Sequence, residues 1–263
     1  MELNLQKKVA VVLASSAGIG YEIASALAAE GCSIAMCARQ NDRLEIAAQE
    51  IRDKYNVSVI SKSVDLSIHD EINSFFDFVY EKYSVIDILI NNTGGPKPGD
   101  CLSLSDEDYH HAFELILMSK IRAVKKVMPK MIAQGSGRII NIESTGIKNV
   151  MGNMVLSNIF RNGSNAFIKT LALESIKSGI RVHTIMPGPF LTDRLKELGQ
   201  QAAKSSNIDF DTWKSNAASA TPLGRFGEPK EIGPIVAFLA SDQSDYMNGL
   251  CLAVDGGILQ STN

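Results

Sequence analysis

The 263-residue sequence has little of several things, and each shortage narrows what the protein can be. Lys and Arg number 26 against 29 Asp and Glu, a net charge of -3. Without an excess of cations there is nothing to neutralise a phosphate backbone, so nucleic acid is not expected as a partner. Residues 1–8 carry no apolar core of signal-peptide length, and the first hydrophobic run, residues 9–14, is far too short for a bilayer. No membrane association and a cytoplasmic location are expected. The four cysteines, Cys32, Cys37, Cys101 and Cys251, form no C-x-x-C pair, and buried free thiols are expected. Low-complexity tracts, repeats and linkers are missing as well. A chain that is 45% hydrophobic is then expected to bury one large core as a single domain, residues 1–263.

What is present is an alternation. Seven short apolar runs have the length of strands: residues 9–14, 33–38, 57–64, 86–91, 138–142, 181–186 and 250–254. Most show no polar alternation, as befits a parallel sheet covered by helices on both faces. Residues 21–30 are alanine-rich and stop at Gly31, a natural left-handed cap, while 42–55 and 68–83 carry apolar residues at three-four spacing. The pattern predicts a Rossmann-like doubly wound α/β fold, three layers αβα with about seven parallel strands. Ligands of such a sheet sit beyond the carboxyl ends of the strands, where strand order reverses. Residues 190–222 weaken the pattern into short polar helices after the Pro187-Gly188-Pro189 turn and read as a substrate lid.

The first strand runs into Ala14-Ser15-Ser16-Ala17-Gly18-Ile19-Gly20 and then directly into a helix. Glycine permits close backbone approach to a pyrophosphate, and a helix N-terminus supplies free N–H groups and the positive end of a dipole. Here the chain resembles the short-chain dehydrogenase/reductase family, whose first turn reads T-G-x-x-x-G-I-G. The likeness covers residues 8–257 in the family's order: Gly18-Ile19-Gly20, Asp65-Leu66, Asn91-Asn92-Thr93-Gly94, Ser144, Pro187-Gly188 and Val254-Asp255-Gly256-Gly257. Leu13 and Ala14 stand where the family has its threonine and first glycine; alanine is small enough to keep the loop close to the phosphates. The resemblance implies that Asp65, followed by Leu66, holds the adenine edge. It also implies that Asn91 and Asn92, followed by Gly94, line the nicotinamide side, and that Pro187, Gly188 and Thr192 belong to the cofactor site. At the end of the second strand an acid would accept from a ribose 2′-OH. The chain has Ala38-Arg39 there, and arginine can clamp a 2′-phosphate, so NADP(H) is favoured over NAD(H); the alternative is an ordinary solvent-facing Arg39.

In the family a serine polarises the substrate carbonyl and a tyrosine transfers the proton. A lysine one turn later lowers the tyrosine pKa and holds the ribose, and an asparagine on the preceding helix completes the relay. Ser144 matches the serine, but the next two positions, 13 residues on and four beyond, are Ser157 and Arg161, and Ile116 replaces the asparagine. The register holds, because Asn165-Ala166-Phe167 and Thr170-Leu171-Ala172-Leu173-Glu174 match the segment after the family's lysine. Leu156-Ser157-Asn158-Ile159-Phe160-Arg161 resembles a 3-oxoacyl-carrier-protein-reductase-like branch with L-S-N-x-x-R in place of Y-x-x-x-K. A serine hydroxyl lacks the phenol's reach and its pKa near about 10, so Ser157 is a poor proton donor. Arg161 does not titrate, yet it keeps a fixed charge and five donors one turn away, suited to binding the ribose or stabilising an oxyanion. Lys148 and Glu143 are candidate proton sources, Glu143 through desolvation at the end of a buried strand; the simpler reading of both is a loop charge facing water.

His110-His111 lies at a polar helix start without ligand spacing, so no metal is expected. His183, inside a strand, reads as a satisfied core histidine, and Trp213 in the lid could touch substrate, though packing is the plainer role. The function expected is hydride transfer between NADP(H) and a small-molecule carbonyl or secondary alcohol. The alternatives are a catalytically silent NADP(H)-binding or scaffold protein, and an isomerase or lyase on the same fold. Family members pair the helices about 106–133 and 153–177 into dimers or tetramers, so a homo-oligomer is expected.

Overall fold

The structure, a computed structural model, describes residues 2–260. Its strands are β1 (Val9–Val12), β2 (Ser33–Ala38), β3 (Val59–Ser63), β4 (Ile88–Asn91), β5 (Gly137–Ile142), β6 (Ile180–Pro187) and β7 (Cys251–Val254). All pair in parallel in one sheet of order β3-β2-β1-β4-β5-β6-β7. The seven apolar runs are the seven strands. The helices are α1 (Gly18–Ala29), α2 (Asn41–Tyr55), α3 (His69–Lys82), α4 (Asp106–Ala112), α5 (Ser119–Gln134), α6 (Val155–Ser175), α7 (Asp193–Ser205), α8 (Phe210–Ser219) and α9 (Gly233–Ala240).

Side chains of a strand alternate faces, and β1 is buried on both. Ala10 and Val12 join one core with Ile23 and Leu27 of α1, Leu44 and Ile51 of α2, and Val236 and Leu239 of α9. Val11 joins the opposite core with Phe75 and Phe76 of α3, Val124 and Val127 of α5, and Ile168 and Leu171 of α6. Helix stops follow the turn chemistry: Gly31 after α1 has φ +83°, and α2 ends on Asn56 at φ +53°. Helix α1 starts at Gly18, earlier than residue 21, because the turn's glycines form its first turn. The expected helix about 106–133 is three pieces, with a wider π-helical stretch, Phe113–Met118, between α4 and α5.

Helices α7 and α8 fall inside residues 190–222. Trp213 of α8 stacks between Phe210 and Phe226, with ring centroids 5.7 and 6.2 Å away, and lies flat against Gly199 of α7. Packing is therefore its role in the structure. Two expectations need correction. Cys32 and Cys37 are buried free thiols, but Cys101 is exposed and Cys251 half-buried. His183 is fully buried, yet neither ring nitrogen has a hydrogen-bond partner among the described residues. Burial first, then the charges of Arg138 and Arg181, push its pKa down to about 4, so the ring is neutral.

Candidate active site

Parallel pairing brings the carboxyl ends of β1, β4, β5 and β6 to one side of the sheet. The chain runs from β1 outward to β3 and returns through β4 on the other side of β1, leaving a crevice there. A cleft of about 440 Å³ opens at this point. Its floor is the turn before α1, whose N-cap, Ala17, makes no side-chain cap bond, so no side chain competes for the first amides of the helix. A Cβ on Gly20 would lie 2.3 Å from the Ala14 carbonyl oxygen, so only glycine fits. Ala14 itself takes φ +50°, the left-handed backbone that glycine would adopt more easily. Asn92 ties this turn to β4, its Nδ2 donating to the carbonyls of Leu13 and Ala14 at 3.2 Å each. Thr192 caps α7, its Oγ1 accepting from the Leu195 amide at 3.2 Å, and faces Gly18 across the cleft. The uncapped helix end and the glycine held against backbone fit a dinucleotide pyrophosphate.

Gly18, Ile19, Gly20, Ala14, Asn92, Gly94, Pro187, Gly188 and Thr192 line the cleft together with Ser144, Ser157 and Arg161. Ser16 lines an adjoining recess beside Arg43. Other expected site residues lie outside the cleft lining. Ser15 is buried, donating back to the Val12 carbonyl at 2.8 Å. Asn91 is buried too, its Nδ2 on the Lys120 carbonyl at 3.1 Å, and Leu66 sits in the core. Asp65 accepts from the amide and hydroxyl of Ser67 at 2.8 and 2.7 Å. Burial raises its pKa, but these bonds and the charges of Arg39 and His111 outweigh that and lower it overall. Arg39 is exposed at the end of β2, and Lys148 is exposed beyond the serine.

Glu143 does not face water. Its side chain is fully buried at the end of β5, between Lys120 of α5 and Arg161 of α6. Lys120 Nζ donates to Glu143 Oε1 at 2.7 Å and to the Ile142 carbonyl at 2.8 Å. Arg161 Nη1 donates to Glu143 Oε2 at 3.1 Å and to its carbonyl at 3.2 Å. Asn141 Nδ2 adds a bond to Oε1 at 2.6 Å. Arg161 Nε donates to Ser157 Oγ at 3.2 Å, and the Gly146 amide donates to Ser144 Oγ at 3.1 Å. Each serine oxygen therefore accepts from a fixed donor and keeps its own hydrogen to give. Burial pulls the Lys120 pKa down to about 8; the Glu143 charge opposes this and the Arg161 charge adds to it.

Lys120 is the residue whose role the sequence alone hides, and periodicity holds its only signal: Ile116, Lys120, Ala123, Val124, Val127 and Met131 form the buried stripe of that helical run. Toward solvent, Arg43 of α2 forms an ion pair with Asp193 of α7 across the cleft mouth. Arg194 donates to the Pro96 carbonyl at 2.7 Å and lies 4.0 Å from Glu197.

Residues 13–259 match the family described as Enoyl-(Acyl carrier protein) reductase. The chain is 32% identical to the 3-oxoacyl-[acyl-carrier-protein] reductase of Aquifex aeolicus, over 98% of this chain and all of the relative. The L-sorbose reductase of Gluconobacter frateurii, solved with NADPH and L-sorbose, superimposes with a TM-score of 0.95 at 32% identity, covering 99% of this chain and 100% of that one. An actinorhodin polyketide ketoreductase variant solved with NADPH gives a TM-score of 0.93 at 29% identity, over 97% and 98%. With a family match over nearly the whole chain and full-length likeness to these reductases, the chain belongs to the short-chain dehydrogenase/reductase family of oxidoreductases.

Proposed function

We propose that this protein is an NADP(H)-dependent reductase of a carbonyl group, working without the family's tyrosine. The observation that carries the reading is the buried Arg161, held on Glu143 in the wall of the same cleft as Ser144 and Ser157. A decayed active site has no reason to keep two cations gathered on one carboxylate in its interior, where burying charge costs several kcal/mol. The pyrophosphate belongs on the turn at Gly18, Ile19 and Gly20, with Asn92, Gly94 and Thr192 along the rest of the cofactor. Arg39 in place of an acid, and the NADPH found in solved relatives, support NADP(H) over NAD(H).

Bound NADPH would supply the hydride. The chain's own residues would steady the negative charge that grows on the substrate oxygen. The Ser144 and Ser157 hydroxyls give their hydrogens to it, and the Arg161 guanidinium adds a charge that needs no proton transfer. One such preorganised donor contributes about 3 to 4 kcal/mol. Neither serine nor arginine is a general acid at neutral pH, so the oxygen takes its proton from water. Residues 190–222 would close over the substrate as a lid, the whole chain forming one domain. Ile159 and Leu173, exposed on α6, and Ile132 on α5, support pairing of these helices in a cytoplasmic dimer or tetramer. Among the described residues no helix is long and apolar enough to cross a membrane.

The test is fluorescence titration with NADPH, then turnover on a panel of ketones and 3-oxoacyl thioesters. Binding with turnover is expected. Binding with no turnover on any carbonyl would favour a silent NADP(H)-binding protein, and no binding would overturn the reading.

A further inference from the structure

The charges around the cleft do not cancel. On the outer wall, at the solvent, Arg43 and Lys196 share Asp193, and Arg194 lies beside Glu197. In the interior a single carboxylate, Glu143, serves two cations, Lys120 and Arg161. The cluster thus holds one positive charge in excess, in a place where Lys120 and Glu143 have no solvent exposure and the Arg161 side chain has 9%. A buried charge of this kind calls for a counter-ion.

The excess has one outlet. Lys120 is spent on Glu143 and the Ile142 carbonyl. Arg161 uses Nε on Ser157 and Nη1 on Glu143, and Nη2 has no hydrogen-bond partner among the described residues. Arg161 and Ser157 both line the cleft, the Arg161 side chain keeps 9% exposure, and Nη2 is not among the fully buried atoms that lack a partner. A planar cation with an open N–H edge, fixed by a carboxylate behind it, is built to receive a carboxylate in front.

We infer that the substrate is itself a carboxylate, an oxo acid or its hydroxy acid, and that its anionic group seats on Nη2 of Arg161. This rests on the reductase reading above and adds the substrate's class to it. Ser144 and Ser157 then hold the neighbouring carbonyl oxygen, and the bound anion completes the charge balance of the cluster.

The experiment uses the full chain saturated with NADPH, with oxamate as a non-reducible carboxylate probe and uncharged oxamide as its control, followed by calorimetry. Oxamate is expected to bind at least about ten-fold more tightly than oxamide, the worth of one charge-assisted hydrogen bond. Arg161→Met, and separately Lys120→Met, should each weaken oxamate at least about ten-fold while changing oxamide little. If either variant fails to fold, Ser157→Tyr, which covers the guanidinium edge without altering charge, must produce the same loss. Equal binding of the two probes, or oxamate affinity that survives Arg161→Met or Ser157→Tyr, would overturn the inference. Failure of NADPH itself to bind the unaltered protein would overturn the reductase reading instead.

Discussion

Glu143→Gln tests the buried cluster directly. Glutamine keeps the size of the side chain and one acceptor, but the charge shared by Lys120 at 2.7 Å and Arg161 at 3.1 Å is gone, leaving two cations facing each other in the interior. Removing one partner from a buried ion pair costs about 3 to 5 kcal/mol, and here one change strips two cations at once, so the upper part of that range is expected. The loss should depend on pH in a definite direction. A lysine whose pKa is lowered by folding binds fewer protons folded than unfolded between about 8 and its ordinary value near 10.5, so its unfavourable contribution fades as pH rises through that window. Without Glu143 the Lys120 pKa falls further, and the Glu143→Gln deficit should be larger at pH 7 than at pH 9.5. Urea unfolding at both pH values, with unchanged denaturant slope, measures it. The double variant Lys120→Met, Glu143→Gln should recover at least about 1 kcal/mol of the loss, because residue 120 then needs no counter-ion. A deficit below about 1 kcal/mol, or no recovery in the double variant, would refute the shared-carboxylate account.

His183 is held neutral with its pKa lowered to about 4, so the folded state binds fewer protons than the unfolded one between about 4 and 6.5. Stability should fall as pH drops through that window, by up to about 3 kcal/mol, and His183→Leu should flatten this part of the urea-midpoint profile. Gly199→Ala should destabilise the pairing of α7 with α8, since a Cβ there would meet the Trp213 ring at 2.1 Å. Limited proteolysis should then cut residues 190–222 faster than in the parent, and equal rates would contradict this packing. Ala14→Gly should raise stability by a few tenths to about 1 kcal/mol, the left-handed strain at φ +50° outweighing the added freedom of the unfolded chain. A fall in the urea midpoint would show that Ala14 is unstrained.

The sheet was legible because its physics is written locally. Runs such as residues 33–38 are apolar on both faces, and only strands between two helical layers need that. The turn before α1 was legible for a similar reason, since Gly18 and Gly20 answer to backbone geometry within a few residues. The reaction centre was harder. Ser144, Ser157 and Arg161 could be placed by register, but Glu143 resembles a loop charge because its two partners lie 23 and 18 residues away on different helices. Lys120 sits among Arg122, Lys125 and Lys126, and nothing local marks it as the cation that turns inward. Ser15 and Asn91 depend on tertiary packing too: the Ser15 hydroxyl and the Asn91 Nδ2 turn to the Val12 and Lys120 carbonyls, while Asn91 Oδ1 stays buried with no partner among the described residues.

The parallel strand order carries a further consequence for how the protein comes into being. A sheet ordered β3-β2-β1-β4-β5-β6-β7 has no hairpins, and every pairing waits for a crossover to be laid down. A nascent chain stopped just after β5, at Glu143, would already own the phosphate turn and that acid, yet it would lack Arg161, which lies on the following helix. During synthesis the glycine turn and Glu143 thus exist before Arg161 does, and Pro187, Gly188 and Thr192, which complete the cleft lining, arrive later still.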